Sequence, residues 1–85
     1  MASFEVVVRK SVAKDLRRIP DRDVRCILER IASLAEDPRP PGSEKLSAQE
    51  RYRVRQGVYR ILYEIQDDQL IVTVVKIGHR REVYR

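Results

Sequence analysis

The residues best suited to chemistry in this chain are arginines. Arg53 and Arg55 stand two apart in Arg51-Tyr52-Arg53-Val54-Arg55, and Arg60 follows after Gln56-Gly57-Val58-Tyr59. A second basic pair, Arg80-Arg81, lies near the carboxyl end, with His79 before it and Tyr84 after it. A guanidinium presents a planar fork that grips phosphate through two hydrogen bonds, stacks on bases and stays charged. Of the 18 basic residues 14 are Arg and 4 are Lys. A high-GC genome would produce that ratio, but it does not dictate placement. Residues 51–60 carry +4 and residues 76–85 carry +3, whereas the other 65 residues sum to −2 within a net charge of +5.

Elements to hold these groups can be read from periodicity. Phe4 to Val8 is short, β-branched and bounded by charge, so it reads as a strand. Ser11 is a candidate cap for a helix over Val12 to Arg18, closed by Pro20. Asp21 to Glu36 carries Val24, Ile27, Leu28, Ile31, Leu34 and Ala35 at three- and four-residue spacing, one apolar helical stripe. Cys26 lies beside that stripe as a packed or half-exposed thiol with no assigned chemistry. The Pro/Gly-rich run Asp37 to Ser43 ends the helix as a stiff crossover.

After it the period becomes two, in Arg51–Arg55 and again in Tyr59–Ile65, and Leu70 to Ile77 is a nearly continuous apolar run. Gln56-Gly57 and Asp67-Asp68 read as turns, and Gly78 as the break after the last strand. The pattern is β-α-α-β-β-β: an α+β fold, a small antiparallel-rich sheet with a helical hairpin packed on one face. A chain of 85 residues allows a single domain, 1–85.

With Gln56-Gly57 as the loop, Val54 faces Tyr59, Tyr52 faces Ile61 and Arg53 faces Arg60. Tyr52, Val54, Tyr59 and Ile61 then form a floor for the helices, and Arg53, Arg55 and Arg60 share the opposite face. Like charges directly opposite are destabilising, and a bound anion relieves the repulsion. If the last strand runs antiparallel to Tyr59–Ile65, Lys76-Ile77 lies near Tyr59-Arg60. Arg80, Arg81 and Tyr84 would then follow beside the arginines. Cations with an adjacent aromatic suit single-stranded nucleic acid.

Other classes are excluded. No apolar run approaches the ~20 residues of a membrane span, and Met1 opens no signal-peptide pattern. One cysteine cannot form an internal disulfide, so a cytoplasmic protein is the default. No His/Cys/Asp/Glu cluster has metal-ligand spacing, His79 is the only histidine, and no cofactor is called for.

Tyr52-Arg53-Val54-Arg55-Gln56-Gly57-Val58-Tyr59-Arg60-Ile61-Leu62-Tyr63, followed by Ile77-Gly78-His79-Arg80-Arg81-Glu82-Val83-Tyr84, resembles the RelE family of the RelE/ParE toxin–antitoxin superfamily. The resemblance covers nearly the whole chain, including Ala13-Lys14-Asp15-Leu16 before the long helix. It implies a type II toxin that cleaves mRNA in the ribosomal A site and inhibits translation. It also implies a RelB-type antitoxin that neutralises the toxin and through which the pair meets operator DNA. By the same resemblance, Arg53 and Arg55 match the family's basic pair, Arg60 and Arg80 its two further arginines and Tyr84 its terminal tyrosine. Arg60 and Arg80 are assigned to the scissile phosphate and Arg53 and Arg55 to the backbone and transition state. Arg81 is expected to bind RNA from its place beside Arg80.

Cleavage without a metal requires the 2′-OH to attack the adjacent phosphorus, leaving a 2′,3′-cyclic phosphate and a 5′-OH. Arginines can stabilise the phosphorane by preorganised hydrogen bonds but cannot take a proton. Some family members carry lysines where this chain has Arg53 and Arg55. Tyr84, with a reference pKa of ~10, is the first candidate for the base, and His79, with a reference pKa of ~6.5, is the alternative. If alternation continues past Gly78, His79 and Arg80 point to opposite sides. Two other functions remain open: a ParE-like inhibitor of DNA gyrase, and a degenerate toxin that only binds its antitoxin as co-repressor.

Overall fold

The computed structural model describes residues 3–46 and 51–79. The elements are β1 (Glu5–Val8), α1 (Lys10–Leu16), α2 (Asp21–Ser33), β2 (Glu44–Leu46), β3 (Arg51–Gln56), β4 (Tyr59–Gln66) and β5 (Ile71–His79). They form an α+β fold with a five-stranded sheet in the order β1-β5-β4-β3-β2. Only the β1–β5 pair is parallel. The sequence-based pattern lacked β2, a three-residue edge strand that pairs Glu44 with Arg53 and Leu46 with Arg51. Among the described residues no helix is long and apolar enough to cross a membrane.

The helices cover one face of the sheet. Val12, Ile27, Ile31 and Leu34 meet Tyr52, Val54, Ile61, Tyr63, Val72 and Val74 in a single buried cluster. Each fully buried side chain of this kind contributes about 1.5–3 kcal/mol. Val24 packs partly against the cluster, but Leu28, expected within the stripe, is 45% exposed. The helix turns 100° per residue, so the face that seats Ile27 and Ile31 carries Leu28 round toward solvent.

Helix α1 starts and stops earlier than expected, whereas α2 starts at Asp21 as expected and stops at Ser33, short of Glu36. Arg9 is extended and its N–H donates to the Val74 carbonyl at 3.2 Å, so β1 pairing runs directly into α1. Ser11 therefore falls within the first turn and makes no cap bond. Pro20, also extended, precedes α2, and its carbonyl accepts from Asp23 and Val24. Asp21 and Asp23 lie in the first turn, where the helix dipole favours negative charge. The helix closes at Ser33, because Leu34, Ala35 and Glu36 each donate to the carbonyl three residues back. These tight turns still keep Leu34 buried.

The crossover is pinned to the far end of the sheet. The Tyr63 hydroxyl donates to the Pro38 carbonyl at 2.7 Å, and Tyr63 stacks on Tyr52 with ring centroids 5.9 Å apart. Arg39 donates from Nε to the Tyr52 hydroxyl at 3.1 Å and from its two terminal nitrogens to Asp67 at 3.1 and 2.8 Å. This fork holds the Asp67 carboxyl below the usual carboxylate range. The bonds to Asp67 and then to Tyr52 raise Arg39 further. Burial pushes the Tyr63 phenol up to about 12.

The turns correct two further expectations. The β3–β4 loop is Gly57-Val58 rather than Gln56-Gly57, so Gln56 pairs with Tyr59 and Arg55 with Arg60. Gly57 has φ +61°, whereas Val58 stays outside the positive-φ region, the signs of a type II′ turn with glycine first. The β4–β5 turn extends over Asp67 to Leu70, and Leu70 has φ +54°.

Candidate nucleic-acid interface

Strand pairing sets three rows of side chains across the sheet face opposite the helices. The first row is Arg55, Arg60 and Gly78. The second is Glu44, Arg53, Leu62 and Lys76. The third is Leu46, Arg51, Glu64, Thr73 and Val7. Arg53, Arg55 and Arg60 thus share one face, as the alternation predicts, but Arg60 stands across from Arg55 rather than Arg53. The hairpin register differs by two positions from the expected one. A shift of two preserves the face of every side chain, because the strand period is two.

Strand β5 does not end at Ile77. It runs through Gly78 to His79, with Gly78 across from Arg60 and His79 across from Tyr59. Lys76 and Ile77 accordingly pair with Leu62 and Ile61, two positions beyond the expected Tyr59-Arg60. A bulge between Leu62 and Tyr63 lets Lys76 and Val74 pair with consecutive residues and leaves Val75 extra, an irregularity with no signature in the apolar run. Since Gly78 has no side chain, nothing on β5 stands over the face directly beside Arg60. Arg60 is 6% exposed, the one buried charged residue of the described chain. Arg55 is exposed at the hairpin tip.

The rest of the face holds its cations by carboxylates that sequence reasoning did not assign. Arg53 donates to Glu44, its cross-strand partner on β2, and its side chain is 12% exposed. Arg51 donates to Glu64 at 2.8 Å, and Arg9 reaches the other oxygen of Glu64 at 3.6 Å. Arg51 sits in the same alternation as Arg53 and Arg55, and that was its signal. Arg55 and Lys76 make no ion pair among the described residues. On this face the cations without an ion pair among the described residues are thus Arg55 at the hairpin tip and Lys76.

His79 lies on the helix side. Its ring meets Tyr59 edge-on, with centroids 6.1 Å apart, at a cleft of about 270 Å³ lined by Asp15, Arg18, Ile19 and Ile77. The Asp15 carboxylate accepts there from the Ile77 N–H at 3.2 Å. The sheet thus separates His79 from the arginine rows. Cys26 is exposed rather than packed. Arg80, Arg81 and Tyr84, the remaining expected site residues, lie outside the described residues.

What the arrangement can do is hold and polarise phosphate: two guanidinium groups stand directly opposed on neighbouring strands, with a lysine diagonal to Arg60. Known proteins share the scaffold. The family profile described as the ParE toxin of the type II toxin–antitoxin system parDE matches residues 6–84. The RelE1 toxin of Methanocaldococcus jannaschii is 31% identical, with 96% of each chain covered. Toxin RelG of Mycobacterium tuberculosis is 28% identical over 96% of this chain and 97% of its own. The toxin in the RelE–RelB complex of Pyrococcus horikoshii superposes with a TM-score of 0.84 at 27% identity, over 94% of this chain and 98% of that one. One chain of the RelBE2 toxin–antitoxin complex of M. tuberculosis gives 0.80 at 25% identity, over 92% and 99%. With a profile match along almost its entire length and a RelE toxin at 31% identity, the chain belongs to the RelE family within the RelE/ParE superfamily of type II toxin–antitoxin toxins.

Proposed function

We propose that this toxin is a ribosome-dependent mRNA endonuclease that cuts in the A site by attack of the 2′-OH on the adjacent phosphorus. The observation that carries the reading is the row Arg55–Arg60–Gly78, two opposed arginines beside a position without a side chain. In this reading Arg60 and Arg80 hold the non-bridging oxygens of the scissile phosphate. Arg55, Arg53 and Arg81 bind the backbone on either side. As the 2′-oxygen bonds to phosphorus, its proton passes to the Tyr84 oxygen, a base only where flanking cations depress its pKa from the ordinary ~10. The bond to the 5′-oxygen then breaks, and that oxygen takes a proton from water. The products are a 2′,3′-cyclic phosphate and a 5′-OH.

Preorganised donors of this kind are worth about 10²–10³ in rate each. Supplying no strong base, the site depends on a substrate already held in line, which a ribosome provides. His79 is set aside as the base, because it shares a row with Tyr59 on the helix side. A RelB-type antitoxin is the fitting partner, since the toxins of P. horikoshii and M. tuberculosis that share the fold were solved with theirs. Operator DNA would be met through that complex.

The test is purified toxin added to ribosomes stalled on a defined mRNA, with primer extension across the A site. Cleavage within the A-site codon that needs the ribosome, and falls at least 100-fold in Arg60→Ala, supports the reading. Intact mRNA refutes it. The ParE name of the matching profile favours one competing activity, inhibition of DNA gyrase, which a supercoiling assay on the same preparation reads directly.

A further inference from the structure

The open face carries carboxylates as well as arginines, and their placement is selective. Glu44 stands beside Arg53 in register and bonds to its guanidinium. Glu64 does the same for Arg51 and lies 3.6 Å from Arg9. The hairpin-tip row runs Arg55, Arg60 and Gly78, and exposed Arg55 makes no ion pair among the described residues. Arg53 and Arg55 are therefore unequal, although they are the same residue type on the same face of one strand. Arg55 is exposed, whereas Arg53 is 12% exposed and already supplied with an anion.

A phosphate approaching Arg53 must displace the Glu44 carboxylate or settle against a pair whose charge is neutralised. Either way the attraction of RNA to this row is smaller than a count of arginines implies. Glu44 itself is well exposed, at 54% of its side chain, on a three-residue edge strand. Its removal therefore leaves the core untouched.

We propose that Glu44 is a specificity-determining residue of the RNA site. It occupies Arg53 so that free single-stranded RNA is bound weakly by exposed Arg55 at the hairpin tip, and Arg53 is yielded only to a phosphate presented in fixed geometry. This rests on the RNA-cleaving reading above. Glu44 is a positioning residue in this scheme and touches no reacting atom.

The probe is a fluorescent 2′-O-methyl oligonucleotide, which binds but cannot be cut, titrated with the full-length toxin from 0.05 to 0.3 M salt. Each neutralised phosphate of a single strand contributes about 0.7 to the slope of log K against log salt. Glu44→Gln is expected to tighten binding about threefold to tenfold at 0.1 M salt and steepen the slope by about 0.7, one further phosphate engaged. Arg53→Gln in the Glu44→Gln background should abolish the gain. Glu36→Gln makes the same change in net charge at an exposed turn residue beyond α2 and should leave the slope unaltered. Equal binding by wild type and Glu44→Gln, or an equal gain from Glu36→Gln, overturns the proposal while leaving the RNA reading standing. Absence of salt-dependent binding by every one of these proteins overturns the proposal as well, and cleavage on stalled ribosomes then decides the RNA reading by itself.

Discussion

Gly57 sets which arginines face each other, and replacing it with alanine tests that arrangement. The residue has φ +61°, and a Cβ added there would meet no atom within 4 Å. The penalty for Gly57→Ala is thus conformational and not steric. Holding an L-residue in the left-handed region costs about 1–2 kcal/mol. The stiffer unfolded chain returns about 0.4–1 kcal/mol of that. The net loss is near 1 kcal/mol, which for a domain of this size lowers the thermal midpoint by about 4–8 °C. Circular dichroism melts of the two proteins measure it. Gly57→Asn should lose less, because Asn tolerates the left-handed region better than other side chains. Val58→Ala should change little, since Val58 is 48% exposed and outside the positive-φ region. An unchanged or raised midpoint for Gly57→Ala would refute the type II′ turn. With it would fall the register that sets Arg55 against Arg60.

Two further predictions concern the clip at the opposite end of the sheet. Tyr63→Phe removes the hydrogen bond to Pro38 and should destabilise by about 1–3 kcal/mol, the cost of leaving a buried acceptor unmet, as read by urea unfolding. The Tyr63 phenol titrates near 12 when folded, against an ordinary ~10 when unfolded. Its contribution is therefore fully present below pH ~10 and is lost as pH rises toward 12; the alkaline decline should be shallower in Tyr63→Phe. Asp67 works in the opposite direction: Arg39 depresses its folded pKa, so its contribution is present above the unfolded value of ~3.9 and is lost as pH falls through the folded one. Asp67→Asn should flatten the acid limb of midpoint against pH, and an unchanged acid limb would show the Arg39 fork to be energetically idle.

The parts legible in the sequence were those carried by periodicity. The stripe through Ile27, Ile31 and Leu34 and the alternation in β3 and β4 specify which side chains face the helices. The arginine face followed from that alternation alone, and it survived a wrong turn because the register differed by two positions. The turn itself was misplaced because glycine suits either central position of a hairpin loop, first in type II′ and second in type I′. Strand β2 was invisible: Glu44-Lys45-Leu46 is too short for any period to show. Gly78 looked like a break, yet a central strand tolerates glycine where pairing on β4 holds the backbone. Least legible were the ion pairs. That Glu44 serves Arg53 and Glu64 serves Arg51 depends on the β2–β3 and β3–β4 registers, and the approach of Arg9 to Glu64 on folding of segments distant in sequence.

The proposed activity is cleavage of mRNA on the ribosome by the arginine row of the open sheet face. Mapping of 5′-OH ends across the transcriptome, after brief induction of wild type and of Arg60→Ala, tests it most directly. New ends in frame with the A-site codon of translated messages, abolished in Arg60→Ala while the variant still folds, are the predicted result. Intact messages accompanied by altered plasmid supercoiling, or the same in-frame ends persisting in Arg60→Ala, would contradict it.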